Sequence, residues 1–265
     1  MTAVSVLMPV AAPAPHLREA LESVLAQSHE DWTLVLINDG DDPVVRDLAT
    51  ALIPRDRLTL VPIMDRRGLS YALNCGLDAA RTELVARLDA DDIADPDRLA
   101  NQSDFMDRAP TVVLTGMAAR LIDESGAVIG RRDVVVEDEA VQLLARNQFI
   151  HPAVMYRRSA VRAIGGYDVS CSLREDYDLW LRLAAMGEVR NLDTVGIDYR
   201  ISSAQVSRRP VEWKSVRIVG RSQAALGRTL GRSRFATLAQ HLKWAVAQHP
   251  VVQRLRRTAT SGASS

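Results

Sequence analysis

Residues 84–95 read LVARLDADDIAD, an apolar run that stops abruptly on three aspartates, and the fold follows from how this stretch is read. A short apolar run bounded by polar residues is the pattern of a buried strand, here residues 84–88. Three runs of the same kind precede it: Val4–Val10 (VSVLMPV), residues 32–37 (WTLVLI) and Leu58–Ile63. Between them lie stretches whose apolar residues recur at helical spacing, Leu17–Leu25, residues 43–52 and residues 69–80. Strand and helix alternating at this interval predict βαβ units and an α/β fold with a mostly parallel sheet flanked by helices. Ligands in such sheets bind beyond the carboxyl ends of the strands. Three of those ends carry distinctive residues: Pro9-Val10, Asn38-Asp39-Gly40 and the run from Asp89 to Asp92. They are expected to meet in one crevice.

Beyond the aspartates the pattern changes. Asp95-Pro96-Asp97 predicts a helix start, with Asp95 as N-cap and Pro at the first helical position, running to about Arg108. Residues 112–122 and 128–136, around the turn 124–126, predict a β-hairpin. A helix over 137–146, the segment 151–156 and a helix over 176–186 follow. Within that last helix Leu179, Trp180 and Leu183 are expected in the core, and Asp178 with Arg182 reads as an i,i+4 surface pair. From Val211 the chain reads as helical, with breaks expected at Gly220, Gly227, Gly231 and Pro250 and disorder over 258–265. The division expected is a catalytic domain over 1–210 and a helical extension over 211–265.

The net charge of zero conceals an asymmetry. Ten Lys and Arg stand against one Glu from Val211 onward, leaving 23 basic and 32 acidic residues before it. The body is acidic and the tail basic. The two cysteines, Cys75 and Cys171, have no pairing motif or metal-ligand spacing, which suits a reducing compartment. The opening MTAVSVLMPV lacks the basic-then-apolar pattern of a signal peptide, and no apolar run nears the roughly 18 residues of a membrane span. A cytoplasmic location is expected.

No GxGxxG or GxxxxGK[ST] loop follows the first strand, so a glycine-rich phosphate cradle is absent. The strand end presents carboxylates instead. Carboxylates repel phosphates, so they belong in a phosphate site only with a cation between them, and Mg²⁺ or Mn²⁺ fits. Strand alternation can turn Asp89 and Asp91 to one side. Taken alone, the run also fits a solvated turn with Asp92 or Asp95 capping the next helix.

The stretches VSVLMPV (4–10), LESVLAQSHEDWTLVLINDG (21–40), RRGLSYALNCGLDAARTELVARLDADDIADPDRL (66–99), HPAVMYRR (151–158), GGYD (165–168) and EDYDLWLRL (175–183) together resemble family 2 glycosyltransferases. The resemblance implies a GT-A fold (Rossmann-like) and a metal-dependent, inverting enzyme using a nucleoside-diphosphate sugar, with UDP-sugars favoured. By position it implies that Asp91 ligates the metal and that Asp89 contacts the donor ribose or the metal shell. It implies further that Asp39 accepts a hydrogen bond from the base, in a pocket that Pro9 and Val10 line. Arg67 and Gly68 fall near the nucleotide, His151 near a sugar, and Arg200 at the diphosphate. Asp176 falls at the general base, with Glu175 its neighbour. For each there is a plainer reading: Asp39 as a turn residue, Arg67 as a solvated loop cation, His151 as structural, Asp176 as a helix cap.

Departures from the family pattern are visible. AAPAPHL (11–17) replaces the usual aromatic and Asn after the first strand, and Ile201 stands where a His often follows the Tyr-Arg pair, leaving a third metal ligand unidentified. QxxRW is absent, which favours single additions over processive synthesis. Competing readings are a sugar nucleotidyltransferase and a non-catalytic nucleotide-sugar-binding module. The acceptor implied is a saccharide or a lipid-linked one. The basic tail fits a peripheral membrane contact, packing on the catalytic domain or a homodimer contact. No aromatic-interleaved basic motif points to nucleic acid.

Overall fold

The computed structural model describes residues 1–202 and 211–248. The break expected at Pro250 and the disorder expected over 258–265 lie outside the described residues. The first half follows the alternation in the sequence: β1 (Val4–Val10), α1 (Leu17–Leu25), β2 (Trp32–Asp39), α2 (Pro43–Leu52), β3 (Leu58–Ile63), α3 (Leu69–Ala79) and β4 (Leu84–Arg87). These four strands pair in parallel in the order β3-β2-β1-β4. β1 and β2 are buried on both faces, which is why they read as unbroken apolar runs. Asp42 caps α2, its side chain accepting from Val44 N at 2.9 Å, with Pro43 at the first helical position.

The second half comprises β5 (Ile93–Ala94), α4 (Arg98–Arg108), β6 (Val112–Ile122), β7 (Val128–Arg132), α5 (Glu139–Leu143), a 3₁₀ turn (His151–Ala153), β8 (Met155–Arg157), α6 (Arg158–Ala163), α7 (Glu175–Ala184) and β9 (Glu188–Arg200). It extends the sheet to β3-β2-β1-β4-β8-β6-β9-β5, with β7 paired to β6 as the expected hairpin. β8 enters antiparallel to β4, so the all-parallel pattern ends there, while β6 and β9 run parallel.

Three local expectations are corrected. α4 begins at Arg98, because Asp95 Oδ1 accepts from Asp97 N at 3.1 Å in a side-chain turn that precedes the helix. Asp178 and Arg182 are no surface pair. Asp178 is buried, and Arg182 donates to it and to the carbonyls of Ile164 (2.9 Å) and Gly166 (2.8 Å), tying α7 to the chain before it. Gly220 and Gly227 do not break the tail. They lie inside α8 (Trp213–Thr229), where α9 (Arg234–Gln248) approaches so closely that a Cβ on Gly220 would meet the His241 ring at 2.7 Å, and one on Gly227 the Thr237 hydroxyl at 2.5 Å. The chain reverses at Gly231, whose φ of 67° suits glycine. Leu179, Trp180 and Leu183 are buried as expected.

α8 packs on α7 through buried polar contacts as well as apolar ones. Ser222 Oγ donates to Asp178 Oδ1 at 2.6 Å, and Gln223 Nε2 donates to Leu144 O at 2.9 Å. At the other side of the sheet Arg98 is buried without a carboxylate of its own. It donates to Gln102 Oε1 (3.1 Å), Arg87 O (2.7 Å) and Val154 O (3.1 Å), clamping the end of β4 to the segment before β8. Burial pulls its pKa down to about 9, so it remains a cation at neutral pH.

Replacing Arg98 with Met would take the donor from the buried Arg87 carbonyl and from Gln102 Oε1, while Val154 O keeps its bond from Arg87 N. The expected cost is about 1–3 kcal/mol, read as a lower urea midpoint for Arg98→Met with an unchanged slope.

Candidate active site

The chain stays extended past β4, with Leu88 N donating to Leu7 O at 3.0 Å, and then turns sharply. The turn brings carboxylate oxygens of Asp89, Asp91 and Asp92 within 4.8 Å of one another. Arg87, buried in β4, pairs with Asp89, and that carboxylate holds its pKa above the ordinary arginine value against the effect of burial. Asp92 is buried too. Its Oδ1 accepts from Arg200 N at 2.8 Å, while its Oδ2 is buried without a hydrogen-bond partner among the described residues. Burial, followed by the charge of Asp89, raises the Asp91 carboxyl above its ordinary range. Burial, then Asp89 and Asp91, raises Asp92 further.

An orphaned carboxylate oxygen beside two more carboxylates suits a hard divalent cation, and the oxygen-only donor set fits Mg²⁺ or Mn²⁺. The sequence reading left Asp92 a turn residue and a third ligand unidentified. The structure ties one Asp92 oxygen to the Arg200 amide and brings the Asp92 carboxylate within 4.8 Å of those of Asp89 and Asp91.

Arg200 holds this turn from behind. Its guanidinium donates to Asp91 O (2.9 Å), Asp123 O (3.1 Å) and Glu124 O (3.3 Å), and pairs with Glu19 Oε2 at 2.7 Å. It lines the cleft, yet its donors are spent on protein oxygens.

The cleft in front of the turn has a volume of about 1400 Å³, above the ~300–1,000 Å³ of a typical small-molecule pocket and large enough for two substrates. One end is formed by β1 and β2. Pro9, Val10 and Asp39 line it. Asp39 Oδ1 accepts from Arg67 N at 3.0 Å and Oδ2 from Gly68 N at 3.2 Å, so Asp39 anchors the loop that leads into α3. The turn role falls to Asn38, which exchanges two hydrogen bonds with the backbone of Asp42 (2.8 and 3.0 Å). The Arg67 guanidinium stacks 4.3 Å over the Tyr71 ring, and it is Arg66 that lines the cleft.

The other end is formed by α7 and its neighbours. Arg174, at the N-cap of α7, supplies no side-chain cap, so Asp176 sits inside the first turn and is not the cap. Its Oδ2 accepts from Asn147 Nδ2 at 2.8 Å and its Oδ1 from Tyr177 N at 2.7 Å. Burial raises Asp176 above its ordinary range against the pull of those bonds. Glu175, beside it, is raised from 4.5 to about 7, first by burial and then by the Asp176 charge. His151 lies under the cleft with Nε2 3.1 Å from Tyr167 Oη and its ring edge-on to Trp180 at 5.7 Å. Burial, with Arg87 nearby, keeps His151 neutral. The structure thus gathers all the residues singled out in the sequence on one cleft, except that Arg67 turns its side chain aside.

Four contributors were not foreseen. Arg87 was signalled by a charge inside a buried strand run. Asn147 and Arg66 had no sequence signal. The fourth is α9, whose Gln240, Lys243 and Gln248 form a wall beside Glu175 and Asp176, with Arg174 donating to Gln248 Oε1 at 2.7 Å.

The family model described as Glycosyl transferase family 2 matches residues 5–165. The amylovoran biosynthesis glycosyltransferase AmsE of Erwinia amylovora is 35% identical over 202 residues, covering 73% of this chain and 74% of that protein. Among solved structures, TarS (1–349) of S. aureus in complex with UDP-GlcNAc superposes with a TM-score of 0.66 at 15% identity, over 86% of this chain and 71% of that one. The mannosyltransferase PcManGT from Pyrobaculum calidifontis, in complex with GDP-Man and Mn²⁺, does so with 0.62 at 18% identity, over 100% and 81%. Both share the GT-A fold with this chain.

The raised Glu175 carboxyl has a stability signature. A carboxyl with a higher pKa folded than unfolded binds more protons in the folded state between the two values, so stability falls as pH rises through that window. Relative to Glu175→Gln, the wild type should lose stability between about pH 4.5 and about pH 7 and level off above, measured as urea midpoints across pH.

Proposed function

The chain belongs to glycosyl transferase family 2, and we propose that it moves a sugar from a nucleoside-diphosphate sugar to an acceptor hydroxyl with inversion, with the acidic turn on the donor side and Asp176 as general base. The observation that carries this reading is the pairing, in one cleft, of a cation-ready carboxylate cluster with a second, separate carboxylate pair. Asp91, with Asp89 and Asp92, would hold Mg²⁺ or Mn²⁺. A cation there would neutralise the charge developing on the departing diphosphate. Support comes from the solved GT-A relatives, one bound to UDP-GlcNAc and another to GDP-Man and Mn²⁺. Pro9, Val10 and Asp39 form the nucleotide end, with uridine favoured, and Arg66 is the cleft cation next to them. Arg200 acts by fixing the turn rather than by reaching the diphosphate.

An acceptor hydroxyl is a poor nucleophile at neutral pH, so a carboxylate that takes its proton as it attacks is needed. Of the pair, Asp176 carries the charge. Its two oxygens receive N–H donors from Asn147 and Tyr177, which favour the ionised form. Glu175 takes up the shared proton. Burial above the ordinary range makes Asp176 a stronger base than a solvated aspartate, and Asn147 aims it. His151, neutral and bonded to Tyr167, shapes the floor. Residues 1–210 are the catalytic domain and 211–265 an extension, of which α9 adds the acceptor-side wall. The amylovoran relative points to a saccharide acceptor in polysaccharide assembly.

Two measurements test this. Asp176→Asn should lower turnover by about 10²–10⁴ while leaving metal-dependent donor binding intact; unchanged turnover would sink the base assignment. In a thermal-shift screen of UDP-, GDP- and dTDP-sugars, the true donor should raise the wild-type Tm only with Mn²⁺ present, and Asp91→Asn should abolish that rise. A screen in which no donor gives a metal-dependent shift would remove the donor-side reading.

A further inference from the structure

The C-terminal helix carries a surface that sugar transfer does not use. Thr237, Trp244 and Ala245 of α9 are buried, with Thr237 against Gly227 of α8 and Trp244 against the Tyr177 ring of α7. A second face, with Gln240, Lys243 and Gln248, lines the cleft. The third presents Phe235, Leu238, Leu242 and Val246, exposed by 86%, 54%, 55% and 61%. At ~100° per residue these four fall within an arc of roughly 80°, a continuous stripe. Scattered exposed apolar residues need no explanation, but a stripe along one helix does.

The segment that carries the stripe has charge of one sign. Beyond Glu212 the chain contains no Asp or Glu and ten Lys and Arg. Arg232 and Arg234 are exposed at the head of the stripe, and Lys243 is exposed between it and the cleft. We propose that α9 seats this protein on an anionic lipid bilayer, with the apolar stripe at the headgroup–acyl boundary and the basic residues among the headgroups. No helix among the described residues is long and apolar enough to cross a membrane, so the contact is with the surface. A second copy of the chain fits the same stripe less well. Self-complementary pairing would bring together two basic helices with no carboxylate on either, whereas anionic headgroups supply the missing charge.

The seat has a consequence for the cleft. The helix that rests on the lipid also forms the wall beside Glu175 and Asp176, so the acceptor end opens close to the bilayer. An acceptor hydroxyl presented from a lipid carrier suits that placement. This last point rests on the transferase reading; the lipid contact does not.

The test is cosedimentation of the full chain with phosphatidylcholine vesicles, with and without phosphatidylglycerol. Binding should be about tenfold greater on the anionic vesicles and should fall as salt is raised. The double variant Leu238→Glu/Leu242→Glu should sediment at background while keeping the wild-type Tm, since both residues are on the surface. No binding to anionic vesicles, or equal binding by the double variant, would overturn the proposal. So would a wild-type dimer that the double variant converts to monomer without any vesicle binding, because the stripe would then belong to a second copy. The donor-dependent thermal shift is read separately, so loss of vesicle binding with an intact shift faults the membrane seat alone.

Discussion

Three carboxylates held within 4.8 Å of one another at a strand end are the constraint around which this molecule is arranged. Left to itself such a cluster would spread apart or take up protons, and the Asp91 and Asp92 carboxyls are raised first by burial and then by their neighbours' charge. Three buried arginines hold it in place, each differently. Arg98 ties the backbone at the end of β4 to the segment before β8, through Arg87 O and Val154 O. Arg200 grips the backbone of Asp91 and draws in α1 through Glu19 and the β6–β7 turn through Asp123 and Glu124. Arg87 meets charge with charge at Asp89. Among the described residues this last is the ion pair with the cluster, while Arg98 and Arg200 hold backbone around it.

Arg87 also reaches past the acidic turn. Its charge pulls down the carboxyls of Glu175 and Asp176 as well as those of Asp91 and Asp92, and it opposes protonation of His151. One buried cation therefore biases protonation at both ends of the cleft. In a site of low polarity such an influence carries further than it would in water. The carboxylate pair on α7 is then differentiated by hydrogen bonding. Burial raises both carboxyls, Glu175 to about 7, and at Asp176 the donors from Tyr177 and Asn147 oppose that rise.

Much of this was legible in the chain. Four apolar runs at βαβ spacing specified the parallel strands, and LDADD at the end of the fourth marked the site. What could be read were features whose cause is local: a strand buried on both faces, or an apolar run broken by carboxylates. What could not be read depended on partners distant in sequence. β9, the longest strand, was missed because EVRNLDTVGIDYR has clear alternation only at Val195, Ile197 and Tyr199, and the rest is set by irregular pairing with β6. Asn147 was invisible because its value comes from a bond to Asp176, 29 residues away. Gly220 and Gly227 read as helix breakers, since nothing local reveals that a second helix lies against them. Asp178 with Arg182 has the spacing of a surface pair, and burial makes it a tie instead.

That tie shows why the C-terminal extension matters to the chemistry. Asp178 accepts from Arg182, whose other donors hold the carbonyls of Ile164 and Gly166, and from Ser222 of α8. Gln223 of α8 donates to Leu144 O and to the Tyr177 hydroxyl, and His241 of α9 bonds Gln223 in turn. The first turn of α7, which carries Glu175 and Asp176, is thus braced from behind by two helices that lie outside the βαβ pattern. A carboxylate that takes a proton in the course of attack must be held to within a fraction of an ångström, and packing against its own strand layer leaves one side of α7 uncovered. The extension covers that side with satisfied polar contacts, which specify orientation more sharply than apolar packing does. α9 also lines the cleft, so under the proposed reading the brace that aims the base shapes the space from which the hydroxyl would arrive.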